Sequence, residues 1–489
     1  MAELEYSLSV EKIIKATGGH LIRGDPYEEV TGISTDSRTL RPGELFIPLK
    51  GENFDGHLFI QEAIIKGARA TLTERPPDSL GCHLGDVSWI KVEDTLLALG
   101  SIAKYWRECH PIPVIAITGT NGKTTTKEMT ASILSQKYKV IKTEGNLNNR
   151  IGLPLTILRM RGDDQVAIVE MGMSLEGEIK ALCEIARPNT GLITNIGNAH
   201  LDHLIDIEGV KRAKGELLES LGRNDTALIN MDDQRCMELA ERCQAKKIFF
   251  GLHRKADVRG EDLEPFNLEG ARFELIAFSE RISVLIHWHG RQAIMNALAS
   301  ASAGISMGLC LEDIKKGLEA FRPFPMRLNL IELKGNVWLL DDTYNANPQS
   351  MEIALESLVS IKGKGKAIAV LGDMKELGRE SSRSHFSLGQ RVASYAIDTL
   401  FLIGDFSEDV AKGAISAGMR RDSIFIARSH EEIVSNCLDE AKGGAWILVK
   451  GSRAMAMENV VHHIVEAIGI KEKEENIDRS KGMARCSTI

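Results

Sequence analysis

A short apolar run, Val114–Thr118, leads straight into Gly119-Thr120-Asn121-Gly122-Lys123-Thr124-Thr125, and a helical pattern begins there. Glycines at such a bend let backbone N–H groups converge on phosphate oxygens, and a helix start behind them adds positive dipole. Lys123 is spaced to reach a terminal phosphate, and the Thr124 hydroxyl to ligate Mg2+. The longer spacing G-x-x-x-x-G-K-[ST] is not met, because Ile117 stands where its first glycine would be. A strand before, a helix after and a Lys-Thr pair separate this loop from a chance glycine-rich turn. The chemistry it points to is phosphoryl transfer from a bound nucleotide.

Glu170 closes the apolar run Val166–Glu170, with Gly172 close behind. Ligands of open α/β sheets bind beyond the carboxyl ends of strands, so a carboxylate there could hold Mg2+ opposite Thr124. Taken alone, it also reads as a solvated strand-end glutamate. His200 follows the run Leu192–Asn195 and belongs to the same rim. His200-Leu201-Asp202-His203 could suggest zinc, but no third or fourth ligand has recognisable spacing. Lys214 lies in an amphipathic helix read over Glu208–Leu221, with Val210, Ala213, Leu217, Leu218 and Leu221 on one face. At about 100° per residue, Lys214 falls inside that apolar stripe. Lysines are rarely inside unless paired. Either the stem crosses the stripe and the ammonium snorkels to water, or the amine is buried for a reason. Gly215 beside it costs a helix up to ~1 kcal/mol and hints at a close backbone approach.

These residues need a scaffold. Val114–Thr118, Val166–Glu170, Leu192–Asn195 and Ala227–Asn230 are separated by helical stretches, the signature of a parallel, doubly wound sheet. Arg281–His289 could add antiparallel strands, and an Ala- and Ser-rich helix is read over Gln292–Met307. Upstream, Ile33–Asp36 and Glu44–Leu49 read as strands and Leu58–Lys66 as a helix. Downstream, Val337–Asp341, Ala367–Leu371, Leu400–Ile403, Ile424–Ala427 and Trp446–Lys450 read as buried strands. Proline-rich breaks at His110-Pro111-Ile112-Pro113 and Phe321-Arg322-Pro323-Phe324-Pro325 mark the boundaries. The reading is α/β in three domains. A smaller mixed α/β domain covers 1–110, a central phosphate-loop domain with a parallel sheet 111–325, and a Rossmann-like α/β domain 326–470. A polar tail, 471–489, follows.

Composition narrows the function classes. The 489 residues carry 60 Lys and Arg against 68 Asp and Glu, a formal charge of −8. That balance gives no support to a sequence-independent grip on nucleic acid or anionic lipid. Hydrophobic residues at 43% are enough to fill large cores. No apolar run approaches the ~18 residues of a membrane span. The start, Met1-Ala2-Glu3-Leu4-Glu5, lacks the basic end and apolar core of a signal peptide. Eight cysteines form no C-x-x-C, so neither a zinc site nor a disulfide framework is suggested. A cytoplasmic monomer is expected, in a reducing compartment.

The shortened loop G-x-x-G-K-[ST]-[ST] resembles that of the Mur ligases, the amide-bond-forming enzymes of peptidoglycan precursor synthesis. Further segments follow the family order: Asp36-Ser37-Arg38 with Asp55-Gly56-His57, Glu144 to Asn149, Asn195 to His200, and Ala213-Lys214-Gly215-Glu216. Then come Asp342-Thr343-Tyr344-Asn345-Ala346-Asn347-Pro348, Leu371 to Gly378, and Lys450-Gly451-Ser452-Arg453. The Asp-Asn-Pro-Arg motif of the diaminopimelate- or lysine-adding ligase is absent. Within the family, the resemblance implies UDP-N-acetylmuramoyl-tripeptide and D-alanyl-D-alanine as substrates.

The resemblance also implies roles. ATP would lie on Gly119, Thr120, Asn121, Gly122, Lys123, Thr124 and Thr125, with Asn296 at adenine and Asp342 near the ribose. Gln292-Ala293 stands in place of the usual His-Asn pair before Asn296. Arg327 could cross to ATP after the second break, where Met326 replaces a common glycine and would stiffen the hinge. Two Mg2+ are implied, one on Thr124 and Glu170, the other on His200 and a Lys214 carbamylated by CO2. A lysine of depressed pKa in an apolar pocket is a good nucleophile for CO2, and the carbamate is an oxygen ligand suited to Mg2+. Lys123, Lys214 and His200 would carry the catalysis. Thr35, Asp36, Ser37 and Arg38 would bind uracil and diphosphate, although the same string makes an Asx-type turn. Asn146, Asn148 and Asn149 would contact the nascent peptide, or form a turn; Tyr344, Asn345 and Asn347 would receive the dipeptide. The tripeptide carboxylate would attack the γ-phosphate, and the dipeptide amine the resulting acyl phosphate. Water must be kept from that intermediate, which makes closure of the C-terminal domain an expected step. The rival readings are another ligase of the family, folylpolyglutamate synthase, a phosphate-loop switch or motor protein, and a sugar-nucleotide binder that leaves Lys123 and Glu170 idle.

Overall fold

The computed structural model describes residues 8–51, 54–76, 86–197, 204, 206–264 and 268–471. The chain is α/β and divides into two compact units, Met1–Pro323 with Glu376–Arg379, and Phe324–Lys375 with Glu380–Ile489.

The first unit opens on a five-stranded sheet: β1 (His20–Arg23), β2 (Ile33–Ser34), β3 (Leu45–Phe46), β4 (Ala70–Thr73) and β5 (Ser88–Lys91). Its order is β1-β5-β4-β3-β2, parallel except for β1. β2 and β3 are shorter than the expected runs. The chain leaves β2 because the Ser34 hydroxyl and the Asp36 carboxylate take backbone N–H groups that a ladder would have used. The expected helix Leu58–Lys66 is two pieces, a 3-10 turn at Gly56–Phe59 and a helix at Ile60–Ile65. Asp55 caps the first by accepting the His57 N–H. Helix α1 (Thr95–Cys109) starts on Asp94, which accepts the Leu97 N–H. It buries Leu99, Ile102 and Trp106 in a core that runs on into the second sheet.

That second sheet has nine strands: β6 (Val114–Thr118), β7 (Val140–Lys142), β8 (Val166–Glu170), β9 (Thr190–Ile193), β10 (Thr226–Asn230), β11 (Lys246–Gly251), β12 (Val258–Glu261), β13 (Ala271–Ala277) and β14 (Glu280–Ile286). The order is β14-β13-β12-β11-β10-β9-β6-β8-β7. It is parallel from β7 to β12, and β13 and β14 add the expected antiparallel edge. β6 and β8 are buried at every residue, as strands covered on both faces must be. Helices α2 (Lys123–Leu134), α3 (Glu178–Ala186), α4 (Ile207–Glu219), α5 (Gln234–Arg242) and α6 (Arg291–Ser306) connect or cover the strands. The chain leaves β6 toward β8 and β7 and later returns to β9 on the other side. The carboxyl end of β6 is therefore a topological switch point, where open α/β sheets bind ligands.

The second unit holds six strands: β15 (Asn329–Leu333), β16 (Val337–Asp342), β17 (Ala367–Gly372), β18 (Thr399–Ile403), β19 (Ile424–Ile426) and β20 (Ala445–Lys450). Their order is β15-β16-β20-β17-β18-β19, parallel except for β15. Helix α7 (Pro348–Ile361) begins on Asn347. No helix among the described residues is long and apolar enough to cross a membrane.

Candidate active site

The loop after β6 is shaped by two glycines in backbone conformations that side chains resist. Gly119 has φ +148, and a Cβ there would lie 1.9 Å from the Thr194 hydroxyl. Gly122 has φ +82, and its Cβ would lie 2.5 Å from Asn296 Oδ1 on α6. Gly122 offers no side-chain cap to α2, and a helix N-terminus of this kind favours an anion. The loop is pinned to the chain leaving β9. The Asn121 N–H donates to Asn195 Oδ1 at 2.9 Å, Thr194 Oγ1 to the Asn121 carbonyl at 2.6 Å, and the Gly197 N–H to Thr120 Oγ1 at 2.9 Å. This explains why β9 ends at Ile193 rather than Asn195: the next two side chains are spent on the loop. Lys123 curls back, its Nζ donating to the carbonyls of Gly119 (2.8 Å) and Thr120 (3.2 Å). Thr124 begins α2 half-buried, and Thr125 turns into the core.

Glu170 is not a solvated strand end. It is 1% exposed, and register places it beside Ile117, next to the loop. Its Oε1 accepts from Asn148 Nδ2 at 2.8 Å, while its buried Oε2 has no hydrogen-bond partner. An orphaned buried carboxylate oxygen is costly unless a cation completes it. Mg2+ takes one or two protein oxygens with phosphate and water, so Glu170 and the Thr124 hydroxyl fit it. Lys127, wholly buried one turn after Lys123, lies 3.8 Å from Glu170 Oε2.

Lys214 is 2% exposed, so its ammonium does not snorkel. Its Nζ donates to the Gly119 carbonyl at 3.1 Å, the same oxygen that Lys123 uses. Burial first, and the Lys123 charge second, hold its pKa well below the ordinary lysine range. α4 can carry it there because Gly215 lets α5 approach: a Cβ on Gly215 would meet Leu239 at 2.8 Å. A cavity of about 340 Å3 opens here, lined by Lys123, Asn148, Asn149, Gly172 and Lys214 among others. His200, expected at this rim, lies outside the described residues.

The remaining expected residues divide. Asn296 is buried against Gly122, its Oδ1 accepting from Gln292 Nε2 at 2.8 Å and its buried Nδ2 without a hydrogen-bond partner. The replacement residue Gln292 thus orients the asparagine it precedes. Asn149 Oδ1 accepts the N–H groups of Ile151 and Gly152 as a turn, and Asn146 is exposed. Asp36 and Arg38 form an Asx turn closed by a two-point ion pair, Oδ1 to Nε at 2.9 Å and Oδ2 to Nη2 at 2.7 Å. The Arg38 hydrogen bond pulls the Asp36 carboxyl down to about 2. Thr35 is half-buried, and buried Ser37 donates to Glu62 at 3.1 Å.

In the second unit, the Arg327 guanidinium lies 3.9 Å from the Tyr344 ring centre. Asp342 Oδ2 pairs with buried Lys450 at 2.6 Å, and Lys450 also donates to the Asn345 carbonyl at 2.8 Å. Asn345 Oδ1 accepts the N–H groups of Ala346 and Arg453. Asn347 caps α7 in a reciprocal box with Ser350. Met326 stands at φ +66, a conformation that favours glycine. Its N–H donates to Asp341 and its carbonyl accepts from Tyr344. Sequence reasoning missed Lys127, Thr194 and the role of Lys450. For the first, its place one turn after Lys123, behind the threonines that open α2, was the available signal.

Three family models match in chain order: the Mur ligase family catalytic domain over residues 29–107, the Mur ligase middle domain over 117–304, and the Mur ligase glutamate ligase domain over 326–453. The chain belongs to the Mur ligase family. Among the relatives of this Mur ligase is the UDP-N-acetylmuramoyl-tripeptide–D-alanyl-D-alanine ligase of Bacillus subtilis (strain 168), 36% identical over 94% of this chain and 98% of that protein. The structure of MurF from Acinetobacter baumannii is 32% identical and aligns with a TM-score of 0.87, over 95% of this chain and all of that one (100%). MurF ligase from Thermotoga maritima, solved in complex with ADP, is 30% identical and aligns at 0.79 over 89% and 97%. These neighbours have the three-domain Mur ligase architecture that the sequence suggested for this chain.

Proposed function

We infer that this Mur ligase joins D-alanyl-D-alanine to UDP-N-acetylmuramoyl-tripeptide with cleavage of ATP to ADP and phosphate, forming UDP-N-acetylmuramoyl-pentapeptide for peptidoglycan synthesis. The observation that carries the substrates is the match along 94% of the chain, at 36% identity, to a relative of that name. The site supports the chemistry: an anion-binding loop, two lysines on one carbonyl, and a buried carboxylate with one oxygen lacking a hydrogen-bond partner.

The tripeptide carboxylate attacks the γ-phosphorus and ADP leaves, giving an acyl phosphate. The dipeptide amine then attacks the acyl carbon, loses a proton, and phosphate leaves. Lys123 swings from the loop carbonyls to the transferring phosphoryl group. The α2 N–H groups bind the phosphates. Mg2+, when bound, neutralises the phosphoryl charge. Thr124 and Glu170 would hold one ion, with Asn148 orienting Glu170. Asn296 is proposed for the nucleotide base. Asp36, Ser37 and Arg38 with Thr35 are proposed for the UDP end, Asn146, Asn148 and Asn149 for the peptide, and Tyr344 and Asn345 for the dipeptide. For Asn347 the helix cap supports a local structural role. Arg327 and Asp342 remain proposed for ATP.

Lys214 is the proposed carbamylation site, holding a second Mg2+ with His200. Its neutral amine adds to CO2, an N–C bond forms, and one proton is released. Burial and the lowered pKa support this. Lys214→Ala should be nearly inactive and regain part of its rate with acetate; labelled CO2 should add a carbamate resonance that Lys214→Ala lacks. A bare ammonium in a well-ordered complex with both metals would refute it. We also place the enzyme in the cytoplasm as a monomer. The six described cysteines are free thiols, as a reducing compartment would keep them. The deciding experiment is incubation with UDP-N-acetylmuramoyl-tripeptide, MgATP and D-alanyl-D-alanine. A product heavier by one dehydrated dipeptide is expected; ATP hydrolysis without that product rejects the function.

A further inference from the structure

Lys127 is wholly buried, and the reaction as derived gives it no task. A lysine in the interior persists only where oxygens offset its lost hydration. Lys127 has three. Its Nζ donates to the Gly145 carbonyl at 3.1 Å, and lies 3.3 Å from Glu128 Oε1 and 3.8 Å from Glu170 Oε2. Two of these belong to different parts of the site. Gly145 is in the Glu144–Asn149 loop, and Glu170 ends β8. The loop returns to β8 twice more: Asn148 Nδ2 donates to Glu170 Oε1 at 2.8 Å, and the Gly172 N–H donates to the Asn148 carbonyl at 2.8 Å. Gly172 must be glycine for this, since its Cβ would lie 2.8 Å from Asn148 Oδ1.

We propose that Lys127 is a positioning residue that fixes the Glu144–Asn149 loop and the Glu170 carboxylate to one another on the phosphate-loop helix. This rests on the ligase reading, in which that loop meets the acceptor and Glu170 meets the metal. An apolar side chain of equal length would fill the space but would hold neither oxygen. The hydrogen bond to Gly145 sets the loop. The charge sets Glu170, which is too far for a strong hydrogen bond.

The test separates the two arms in the full-length protein, with Mn2+ as the metal probe. Lys127→Met should weaken Mn2+ binding to the protein–ADP complex, read by paramagnetic resonance of free Mn2+, by about 10-fold, the scale on which the partners of metal ligands act. Metal-free ADP binding should stay within about two-fold, since the phosphate loop is untouched. KM for the acceptor nucleotide should rise more than KM for ATP. Lys127→Gln keeps a donor for Gly145 without charge, and is the variant to read if Lys127→Met does not fold. It should restore the acceptor KM but not the Mn2+ affinity. Full Mn2+ affinity in Lys127→Gln, or tighter Mn2+ binding in either variant, would overturn the proposal, because the ammonium would then only repel the metal. So would a lowered melting temperature with both affinities intact, the mark of a core filler. Wild-type product formation tests the ligase reading separately from any of these outcomes.

Discussion

Lys123 and Lys214 donate to one oxygen, the Gly119 carbonyl, from the two sides of the phosphate loop. They differ in what charge does for them. Lys123 is only partly buried, and in the proposed reaction it is needed charged, its ammonium compensating the transferring phosphoryl group. Lys123→Ala should therefore lower kcat by about 10^3-fold or more while circular dichroism stays native. Most of the ligation surviving in a folded variant would remove the loop from the mechanism. The proposed carbamylation needs Lys214 neutral, and its sign runs the other way. Its folded pKa is held well below the unfolded value of about 10.4. Between those values the unfolded chain binds the extra proton, so folded stability rises with pH across that window. Below the folded pKa the cost of burying the ammonium is fully present. Lys214→Met should remove that slope, up to about 1.4 kcal/mol per pH unit, and should be at least as stable as wild type at neutral pH. Urea unfolding of both proteins in CO2-free, metal-free buffer checks it; parallel stability curves would mean that Lys214 is not titrating there. The position of Lys214 inside the stripe was legible from helical arithmetic alone. Its burial was not, because snorkelling fails only once α5 and the loop have closed over the stem.

Elements act here by how closely they can approach. α6 comes against the phosphate loop because Gly122 has no Cβ to meet Asn296. Gly122→Ala adds that clash to a positive φ, which costs a residue with a side chain roughly 1–2 kcal/mol. ADP affinity and stability should both fall. Asn296→Ala in the same chain should return the clash but not the φ cost, so the double variant should be less impaired than the two losses added. Strict additivity in calorimetric ADP binding would deny the contact. The buried parallel strands were readable because a strand covered on both faces is a continuous apolar run: Val114–Thr118 and Val166–Glu170 stand at their expected bounds. β2 was read too long because Ile33 opens as a strand residue, while the N–H groups of Asp36 and Arg38 serve side chains instead of a ladder. Lys127 follows Lys123 by one turn on α2, which puts it near the loop, but only the folded β7–β8 connection shows what it touches.

At the scale of the molecule, the motifs divide as the cores divide. The phosphate loop, Glu170, Lys214 and Asn296 hang from the nine-stranded sheet, while Asp342, Tyr344, Asn345 and Lys450 hang from the six-stranded one. The apolar clusters divide likewise, one running from Leu8 to Ala245 and shared by the five- and nine-stranded sheets, another from Leu333 to Ile464 in the six-stranded one. Separate cores imply separate cooperative units, so unfolding should not be two-state. A ligand stabilises what binds it. ADP with Mg2+ at about 100 times its Kd should raise the transition of the phosphate-loop unit by about 2.7 kcal/mol. Asn347→Ala, which removes the α7 cap, should lower the transition of the other unit by about 1 kcal/mol, and Asn347→Asp should keep it. Hydrogen exchange assigns each shift to its strands: β6 and β8 should slow with the nucleotide, and β16 and β17 should quicken with the lost cap. Equal protection of every strand by the nucleotide would show that the two cores melt as one, and the cap variant would then lower that single transition instead.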